Sequence, residues 1–180
     1  SRSQGSLKEL EGIRGVSVVS GGYQNLRTKP RFDDLAIVAT QTEYLLGALE
    51  WLVELGFKNV LVEKPVSLWS EEMRRFESRM AQKNVAIFSA YNRLAYPGVY
   101  EVKKRAQSEG GITSCHYRFT EFVDRMKKGD YPDIEMERWG IANSLHVMSM
   151  AHALIGMPGE WKGYASGSSV SWHPAGNLFV

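Results

Sequence analysis

The chain has 180 residues, of which 43% are hydrophobic and 23% charged, an ordinary balance for a globular protein with a real core. Its formal net charge of +2 is too balanced to indicate binding to nucleic acid or to an anionic membrane. The one cysteine, Cys115, excludes an intramolecular disulfide and a thiolate metal cluster, which favours a reducing, cytoplasmic setting without a metal. No run of about 18 apolar residues predicts a membrane span.

Short apolar runs alternate with helical patterns in the first half of the chain. The runs have strand length and predict four strands: Val16–Val19, Leu35–Ala39, Val60–Val62 and Val85–Ser89. Between them, apolar residues recur at helical spacing over Thr42–Leu55 and Ser70–Gln82. Gly56 is a typical helix stop, and Ser70 is a good N-cap. The alternation predicts β-α-β units and a parallel sheet whose strands are buried on both faces.

The pattern changes after Tyr91, where the sequence favours an α+β arrangement. Proline at the first helical position predicts a helix over Pro97–Ser108, and a second strong helix is predicted over Ala142–Ile155, closed by Gly156. Three further segments are predicted as strands: Ile112–Val123, Trp161–Ala165 and Ser168–Trp172. We therefore expect an α/β fold, with a partial Rossmann-like, doubly wound parallel sheet over residues 1–92. A partial α+β open-sheet domain is expected over residues 93–180.

Three strand ends carry polar or charged residues: Thr40-Gln41-Thr42, Glu63-Lys64-Pro65 and Tyr91-Asn92-Arg93. Ligands of an open parallel sheet bind beyond the carboxyl ends of its strands, so these clusters are expected along one rim. Lysine directly after a buried strand places a cation at the mouth of a cleft, where it can stabilise charge developing on a substrate oxygen. The alternative interpretation is a surface Glu-Lys pair before a helix.

These segments, in their order, resemble the Gfo/Idh/MocA family of oxidoreductases, which includes glucose–fructose oxidoreductase and inositol dehydrogenase. Asp34–Thr40 is similar to the family's "DxVxIATP" strand, and Leu61–Ser67 to its "VxxEKP" strand end. Tyr91–Pro97 is similar to the "NRRFxP" crossing between domains, and Gly110-Gly111-Ile112 to a "GxIG" turn. His146–Gly156 is similar to "HxxDxxxxLxG". The resemblance covers Asp34–Pro158 and is carried by the ordered set, since each motif alone is weak.

The resemblance implies hydride transfer between NAD(H) or NADP(H) and a hydroxyl-bearing carbon of a sugar, cyclitol or sugar nucleotide. It implies that Lys64 polarises the reacting oxygen, that His146 is the acid/base, and that Asn143 helps to hold the substrate. An imidazole changes charge near neutral pH, which suits that task. A histidine in an apolar helix can also be a satisfied core residue, and His152, on a different face, is interpreted as structural or exposed. The implied cofactor-binding residues are Ala39, Thr40, Gln41, Glu63, Lys64, Pro65, Asn92 and Arg93.

The sequence departs from the family pattern in ways that bear on function. It contains no G-x-G-x-x-G phosphate-binding turn, and Val16–Val19 is similar to the family's second strand. We therefore expect the opening strand, the glycine turn and most of the first helix to be missing, with Leu7–Ile13 as the tail of that helix. The second domain is expected to be cut short, as in part of a larger protein. Ala142 and Ser149 stand where the family often has aspartates beside its histidine. Gln41 and Leu45 replace the family's proline and histidine after the "ATP" strand.

Two alternatives to an oxidoreductase remain: a non-catalytic relative that binds a sugar or nucleotide sugar or acts as an assembly subunit, and an unrelated α/β domain. Ser20-Gly21-Gly22, followed by Arg27 and Lys29, leans slightly toward NADP over NAD. Family members commonly pair through the second-domain sheet, which implies a homo-oligomer acting on a small sugar-like molecule. Such a face, or the core, could use three tryptophans: Trp139, Trp161 and Trp172.

Overall fold

The computed structural model describes residues 8, 10–117, 122–160, 162–165, 171–174 and 177–179 of the chain. The chain divides into two compact units, Ser1–Ser89 and Ala90–Val180. The described helices are α1 Thr42–Leu55, α2 Ser70–Met80, α3 Pro97–Ser108, α4 Asp133–Glu137, α5 Trp139–Ala142 and α6 Leu145–Ile155. The described strands are β1 Leu35–Val38, β2 Asn59–Val62, β3 Ala86–Ser89, β4 Gly163–Ala165 and β5 Asn177–Phe179.

The first unit is built on a parallel sheet in the order β1-β2-β3. The register pairs Ile37 with Leu61 and Leu61 with Phe88, so the three strands are in step and β2 is central. Each strand is joined to the next through a helix, α1 or α2, which is the β-α-β arrangement that the sequence predicts. The prediction of a Rossmann-like α/β fold class is confirmed.

Helices α1 and α2 pack on the same face of this sheet. Val60 of β2 and Leu49 of α1 are 0% exposed, and Phe76 of α2 belongs to the same core. An ion pair between Arg79 of α2 and Glu50 of α1 links the two helices directly. One face of the sheet therefore carries the hydrophobic core of the first unit.

The opposite face of the sheet is bare within the described residues. Leu35, Ile37 and Phe88 are 57%, 65% and 61% exposed, and the residues of β1 alternate between exposed and buried. The prediction that these strands are buried on both faces is wrong for this part of the chain. The physical reason is that both crossover helices lie on one side, so β1 and β2 bury only every second side chain.

The segment before β1 is irregular where the structure describes it. Val16–Val19 forms no strand and is largely exposed, and residues 10–12 form a turn where the end of a helix was predicted. A strand exists only when a neighbour completes its hydrogen-bond ladder, and no described strand pairs with this run. A short 3-10 helix over Tyr23–Asn25 packs against α1, so closely that a Cβ on Gly47 would lie 2.9 Å from the Tyr23 hydroxyl oxygen.

The predicted end of α1 at Gly56 is correct, whereas the predicted N-cap of α2 at Ser70 is wrong. Gly56 closes α1 in a left-handed conformation, with φ of 104°, and its N–H reaches the carbonyl of Leu52. Ser70 is the first residue of α2 and not its N-cap, which is Trp69. Ser67 supplies the side-chain hydrogen bonds near the start of α2. Its hydroxyl accepts the Trp69 N–H at 2.9 Å and donates to a glutamate in the first turn of the helix.

In the second unit, α3 begins and ends as predicted, but the long strand after it is not observed. Residues 112–117 are irregular and Val123–Arg125 is a short 3-10 helix, so the prediction for Ile112–Val123 is wrong there; residues 118–121 lie outside the described part. The segment is rich in β-branched and aromatic residues, yet strand formation depends on a partner as well as on composition. Among the described residues, β4 pairs only with β5, in antiparallel fashion.

The helix predicted over Ala142–Ile155 is present as α6, Leu145–Ile155, and begins three residues later than predicted. Helix α5 ends at Ala142, and α6 begins at Leu145 after a turn at Asn143 and Ser144. Trp139 in α5 is 7% exposed, which places it in the core. Its ring lies edge-to-face with that of the buried His173, at 4.9 Å between centroids.

The final predicted strands are only partly described. Gly163–Ala165 confirms the later part of one, and Trp161 lies outside the described residues. Ser171 and Trp172 form a turn, so the second prediction is wrong at that end; residues 168–170 are outside the described part. No helix in the described part of the chain is long and apolar enough to cross a membrane.

Candidate functional site

The carboxyl ends of three parallel strands meet at one edge of the first unit's sheet. Val38 and Val62, the last residues of β1 and β2, are register partners, so the residues that follow them are neighbours at this edge. Those residues are Ala39-Thr40-Gln41 and Glu63-Lys64-Pro65. The structure thus brings together six of the eight residues predicted to contact a cofactor, in the position where open α/β sheets bind ligands.

The corner after β2 is held by main-chain hydrogen bonds. The Glu63 N–H donates to the Val38 carbonyl at 2.8 Å, which extends the pairing with β1 by one residue. The Lys64 N–H donates to Glu63 Oε2 at 3.1 Å. Pro65, joined to Lys64 by a cis peptide bond, is fully buried. The two hydrogen bonds hold the main chain at Glu63 and Lys64. Lys64 is half-buried at the edge of the sheet.

Ala39, Thr40 and Gln41 form an exposed turn between β1 and α1. Gln41 is the N-cap of α1, and its carbonyl accepts the Tyr44 N–H at 2.9 Å. The first N–H groups of α1 consequently begin at the same edge as Lys64. Exposed main chain at a helix start can donate to polar ligand groups, which suits the predicted role.

The remaining predicted residues lie in the second unit. His146 is the second residue of α6, and Asn143 lies in the turn just before that helix. Asn92 and Arg93 begin a 3-10 helix over Asn92–Ala95, which packs against α6. Within this unit the structure therefore brings Asn92 and Arg93 to the helix that carries His146.

Tyr91 contacts His146 directly. The two ring centroids are 6.3 Å apart and the ring planes meet at 89°, an edge-to-face arrangement. The sequence placed Tyr91 in a strand-end motif but gave no reason to associate it with His146, because their contact depends on tertiary packing. An aromatic residue beside the motif was the only available signal.

Ser149 and Ala142 occupy the two positions at which the resemblance implied aspartates beside His146. The Ser149 hydroxyl donates to the main-chain carbonyl of His146 at 3.0 Å, one turn back along its own helix. Ala142 ends α5 and has no polar side-chain atom. Neither position supplies the carboxylate that the resemblance led us to look for beside the imidazole.

Lys64 belongs to the first unit and His146 to the second. That they face one common hollow stays a prediction. The assignment of residues 1–92 to cofactor binding and 93–180 to substrate binding likewise stays a prediction.

A separate open groove of about 710 Å³ lies between α1 and α2 and contains none of the predicted site residues. Two of its arginines are already paired with glutamates, Arg74 with Glu71 and Arg79 with Glu50. This internal compensation of charge makes the groove a poor site for an anion. No group of three or more potential metal ligands is found among the described residues. The groove is lined by Leu46, Glu71, Glu72, Arg74, Arg75, Ser78 and Arg79.

No protein-family model and no curated protein sequence matches the chain. Several solved structures match the chain in fold. An oxidoreductase from Thermotoga maritima matches with a TM-score of 0.70 and 17% identity, over 94% of this chain and 54% of its own. The WlbA dehydrogenase of Thermus thermophilus, solved with NAD and UDP-GlcNAcA, matches with a TM-score of 0.56 and 19% identity, over 74% and 44%. Levoglucosan dehydrogenase, in complex with NADH and levoglucosan, matches with a TM-score of 0.55 and 20% identity, over 76% and 40%.

These matches establish the class of fold. The chain has a Rossmann-like α/β fold, with a parallel sheet whose carboxyl edge is formed by the residues after β1 and β2. It spans between 40% and 54% of the lengths of these structures. At identities of 17% to 20%, the likeness is one of fold.

Proposed function

We propose that the chain is part of a Gfo/Idh/MocA-type oxidoreductase that transfers a hydride between NAD or NADP and a hydroxyl-bearing carbon. The proposed substrate class is a sugar, a cyclitol or a sugar nucleotide. The observation that carries the proposal is the position of Lys64, two residues after the central strand at the carboxyl edge of a Rossmann-like sheet. The neighbours solved with NAD, NADH and sugar-like molecules support the same class.

In the proposed reaction, Lys64 and His146 act on the same substrate hydroxyl group, Lys64 on its oxygen and His146 on its proton. The Lys64 ammonium donates to the substrate oxygen and stabilises the negative charge that develops there. His146 takes the hydroxyl proton, and Asn143 orients the substrate beside it. A nicotinamide bound beside them would supply the acceptor for the hydride that leaves the carbon. The C–H and O–H bonds break as the carbonyl forms, and the reverse reaction returns both hydrogens.

The first unit offers main-chain and side-chain groups that fit part of a dinucleotide. Exposed Thr40 and Gln41 at the start of α1 and half-buried Lys64 stand at one edge, where they could hold the nicotinamide half. The chain has no glycine turn to receive the pyrophosphate. We therefore propose that high-affinity binding needs donors from further polypeptide.

The choice between NAD and NADP receives little support from Arg27. Its guanidinium lies 5.6 Å from the centre of the Trp51 ring and also donates to the Leu26 carbonyl at 3.1 Å. An arginine in these contacts is a weaker candidate for a 2′-phosphate than its sequence position indicated. We accordingly propose NAD or NADP without preference.

The test is a titration with the four nicotinamide dinucleotides, followed by an assay of NAD(P)H absorbance with a panel of sugars, cyclitols and sugar nucleotides. It uses the longest polypeptide that the gene encodes, alongside this chain. We expect binding of one cofactor pair and turnover that falls at least about a hundredfold in Lys64→Ala and in His146→Ala. Lys58→Ala, a lysine at the amino end of the same strand, is the matched control. Absence of binding to all four dinucleotides in the longer polypeptide would overturn the proposal.

A second candidate function is a non-catalytic relative that binds a sugar or nucleotide sugar. It is favoured by Ala142 and by Ser149, whose hydroxyl bonds to the main chain and not to the imidazole. This candidate predicts sugar-nucleotide binding by calorimetry with no hydride transfer. Turnover that disappears in Lys64→Ala would reject it.

We further propose that the protein is a homo-oligomer that pairs through the sheet of its second unit and works in the cytoplasm. The single cysteine is compatible with a reducing compartment. Trp139 is a core residue and does not contribute to such a face. Sedimentation of the longer polypeptide tests the oligomer, and a single monomer peak at micromolar concentration would contradict it.

A further inference from the structure

Ser89, the last residue of β3, carries a hydroxyl in an unfavourable place. Its Oγ atom is shielded from solvent and has no hydrogen-bond partner among the residues that the structure describes. Burying a hydroxyl without a partner opposes folding, and buried polar groups in native proteins are nearly always paired. The presence of serine here therefore calls for a cause other than the stability of the sheet.

The register of the sheet places Ser89 next to the candidate site. Ser89 is the register partner of Val62, which in turn pairs with Val38, so the three residues form the last row of the sheet. Lys64 comes two residues after Val62. Neighbouring strands lie about 4.8 Å apart and two residues advance about 6.6 Å, so the main chain of Ser89 is on the order of 10 Å from that of Lys64.

The row shows which face the serine shares. Val38 and Val62 are 3% and 0% exposed on the face that carries α1 and α2, and side chains in one row of a sheet point to the same face. Two members of the row thus fill the core with apolar side chains, whereas the third brings a polar atom to the same layer. An apolar side chain at this third position would avoid the cost of the unpaired oxygen.

A serine at this position has the properties that a ligand-binding group needs. Its hydroxyl can both donate and accept, and rotation about one bond moves the oxygen among three staggered positions. Ser89 as a residue is only half-buried, so a change of rotamer can bring the oxygen toward the edge without movement of the main chain. The nicotinamide half of a dinucleotide, with its carboxamide and ribose hydroxyls, offers both donors and acceptors.

We infer that Ser89 is a further cofactor-binding residue, whose hydroxyl exchanges a hydrogen bond with the nicotinamide half of the dinucleotide. The inference rests on the proposed function, in which the carboxyl edge of the sheet holds that half. It adds a residue from inside β3 to a set that the sequence drew from the segments after the strands. It also separates two properties, because the hydroxyl contributes to ligand affinity and not to the stability of the free protein.

The first experiment measures stability and needs no ligand. In urea unfolding of the chain, we expect Ser89→Ala to have the same midpoint as the unmodified protein or a higher one, because an unpaired buried oxygen has been removed. Ser67→Ala is the comparison, since the Ser67 hydroxyl accepts the Trp69 N–H and donates to Glu72, and its midpoint should fall. A fall in Ser89→Ala as large as that in Ser67→Ala would mean that the hydroxyl has a partner within the protein, which contradicts the inference.

The second experiment measures binding in the longest polypeptide that the gene encodes. It is titrated with the cofactor pair that it binds and, separately, with adenosine monophosphate. We expect Ser89→Ala to weaken dinucleotide affinity about three- to tenfold, the order of one hydrogen bond, and to leave the affinity for adenosine monophosphate unchanged. Ser89→Thr keeps the hydroxyl and should retain most of the affinity. Ser78→Ala, at an exposed serine of α2 that donates to the Arg74 carbonyl, is the matched control and should change neither affinity.

The outcomes distinguish the inference from the proposed function. Equal dinucleotide affinity in Ser89→Ala and the unmodified polypeptide would overturn the inference while the proposed function stands. An equal loss of affinity for adenosine monophosphate would overturn it too, because the effect would then not belong to the nicotinamide half. If the unmodified polypeptide binds none of the four dinucleotides, the proposed function fails and the cofactor role of Ser89 fails with it.

Discussion

Asp34 shows how one carboxylate organises the chain before it enters the sheet. It accepts the Arg31 main-chain N–H at 2.8 Å and two guanidinium bonds, from Nε at 3.1 Å and from Nη2 at 3.0 Å. The main-chain N–H and the guanidinium of Arg31 lower the pKa of the Asp34 carboxyl below its usual value of 3.8. This residue stands directly before β1, so its bonds to Arg31 fix the point at which the chain enters the sheet.

Replacing Asp34 by asparagine should destabilise the first unit in a pH-dependent way. Because the folded-state pKa is lowered, the stabilising contribution is present above pH 3.8 and is lost as the pH falls through the folded-state value. The gap in unfolding free energy between the unmodified protein and Asp34→Asn should therefore be larger near neutral pH than well below pH 3.8. Urea unfolding at both pH values measures it. Asp33→Asn, at a carboxylate 82% exposed and 4.0 Å from Arg31, is the control and should show little effect at either pH.

Gly56 is a second residue whose identity follows from backbone geometry. Its φ of 104° lies in the region where a Cβ is strained. Gly56→Ala should cost about 1–2 kcal/mol of unfolding free energy, measured by urea denaturation. Gly98→Ala, in the first turn of α3 with open space around the new methyl group, should be neutral or slightly stabilising. Equal losses in the two variants would show that the left-handed cap is not the cause.

At the scale of elements, prediction from sequence succeeded where local chemistry decides the outcome. Helix α1 was predicted with both its ends, because apolar residues recur at helical spacing and Gly56 stops the chain. The runs at Val16–Val19 and Ile112–Val123 were predicted as strands on composition, but pairing depends on a distant partner that composition does not reveal. The candidate site divides in the same way, since Lys64 could be found from its strand while the contact of Tyr91 with His146 could not.

The packing of α1 on β2 supplies a direct test of where the core lies. Leu49 is 0% exposed between helix and sheet, so Leu49→Ala should cost about 2–5 kcal/mol through lost burial and a residual cavity. The same change at Leu35, 57% exposed on the bare face, should cost under about 1 kcal/mol. Chemical denaturation followed by circular dichroism compares the two. A larger loss at Leu35 would mean that the buried face has been assigned wrongly.

For the molecule as a whole, the bare face of the three-stranded sheet is the most consequential feature. Ile37 and Phe88 lie on this face at 65% and 61% exposure, on register-matched positions either side of Leu61. A contiguous apolar surface of this kind binds hydrophobic dyes and promotes self-association. This property belongs to the chain of 180 residues and would change in any longer polypeptide that covers the face.

We expect this chain to bind an anilinonaphthalene sulfonate dye in its folded state and to bind less of it as Phe88→Ser. Since Phe88 is exposed, the thermal midpoint should change little while dye fluorescence falls. Tyr100→Ser, at an exposed aromatic residue of α3, is the control and should leave dye binding as it was. Undiminished fluorescence in Phe88→Ser would place the dye elsewhere on the molecule.

The number of residues in the central strand determines both which side chains face the core and where Lys64 lies. Val60 and Val62 face the core, and Lys64 follows at the next position of the same parity. Deleting one residue from the start of this strand's pairing would turn its valines away from the core and would shift the place of the lysine at the carboxyl edge. Strand β2 should therefore tolerate substitutions far better than a change in its length. We expect insertions and deletions between Val60 and Lys64 to abolish folding or activity even where substitutions are tolerated.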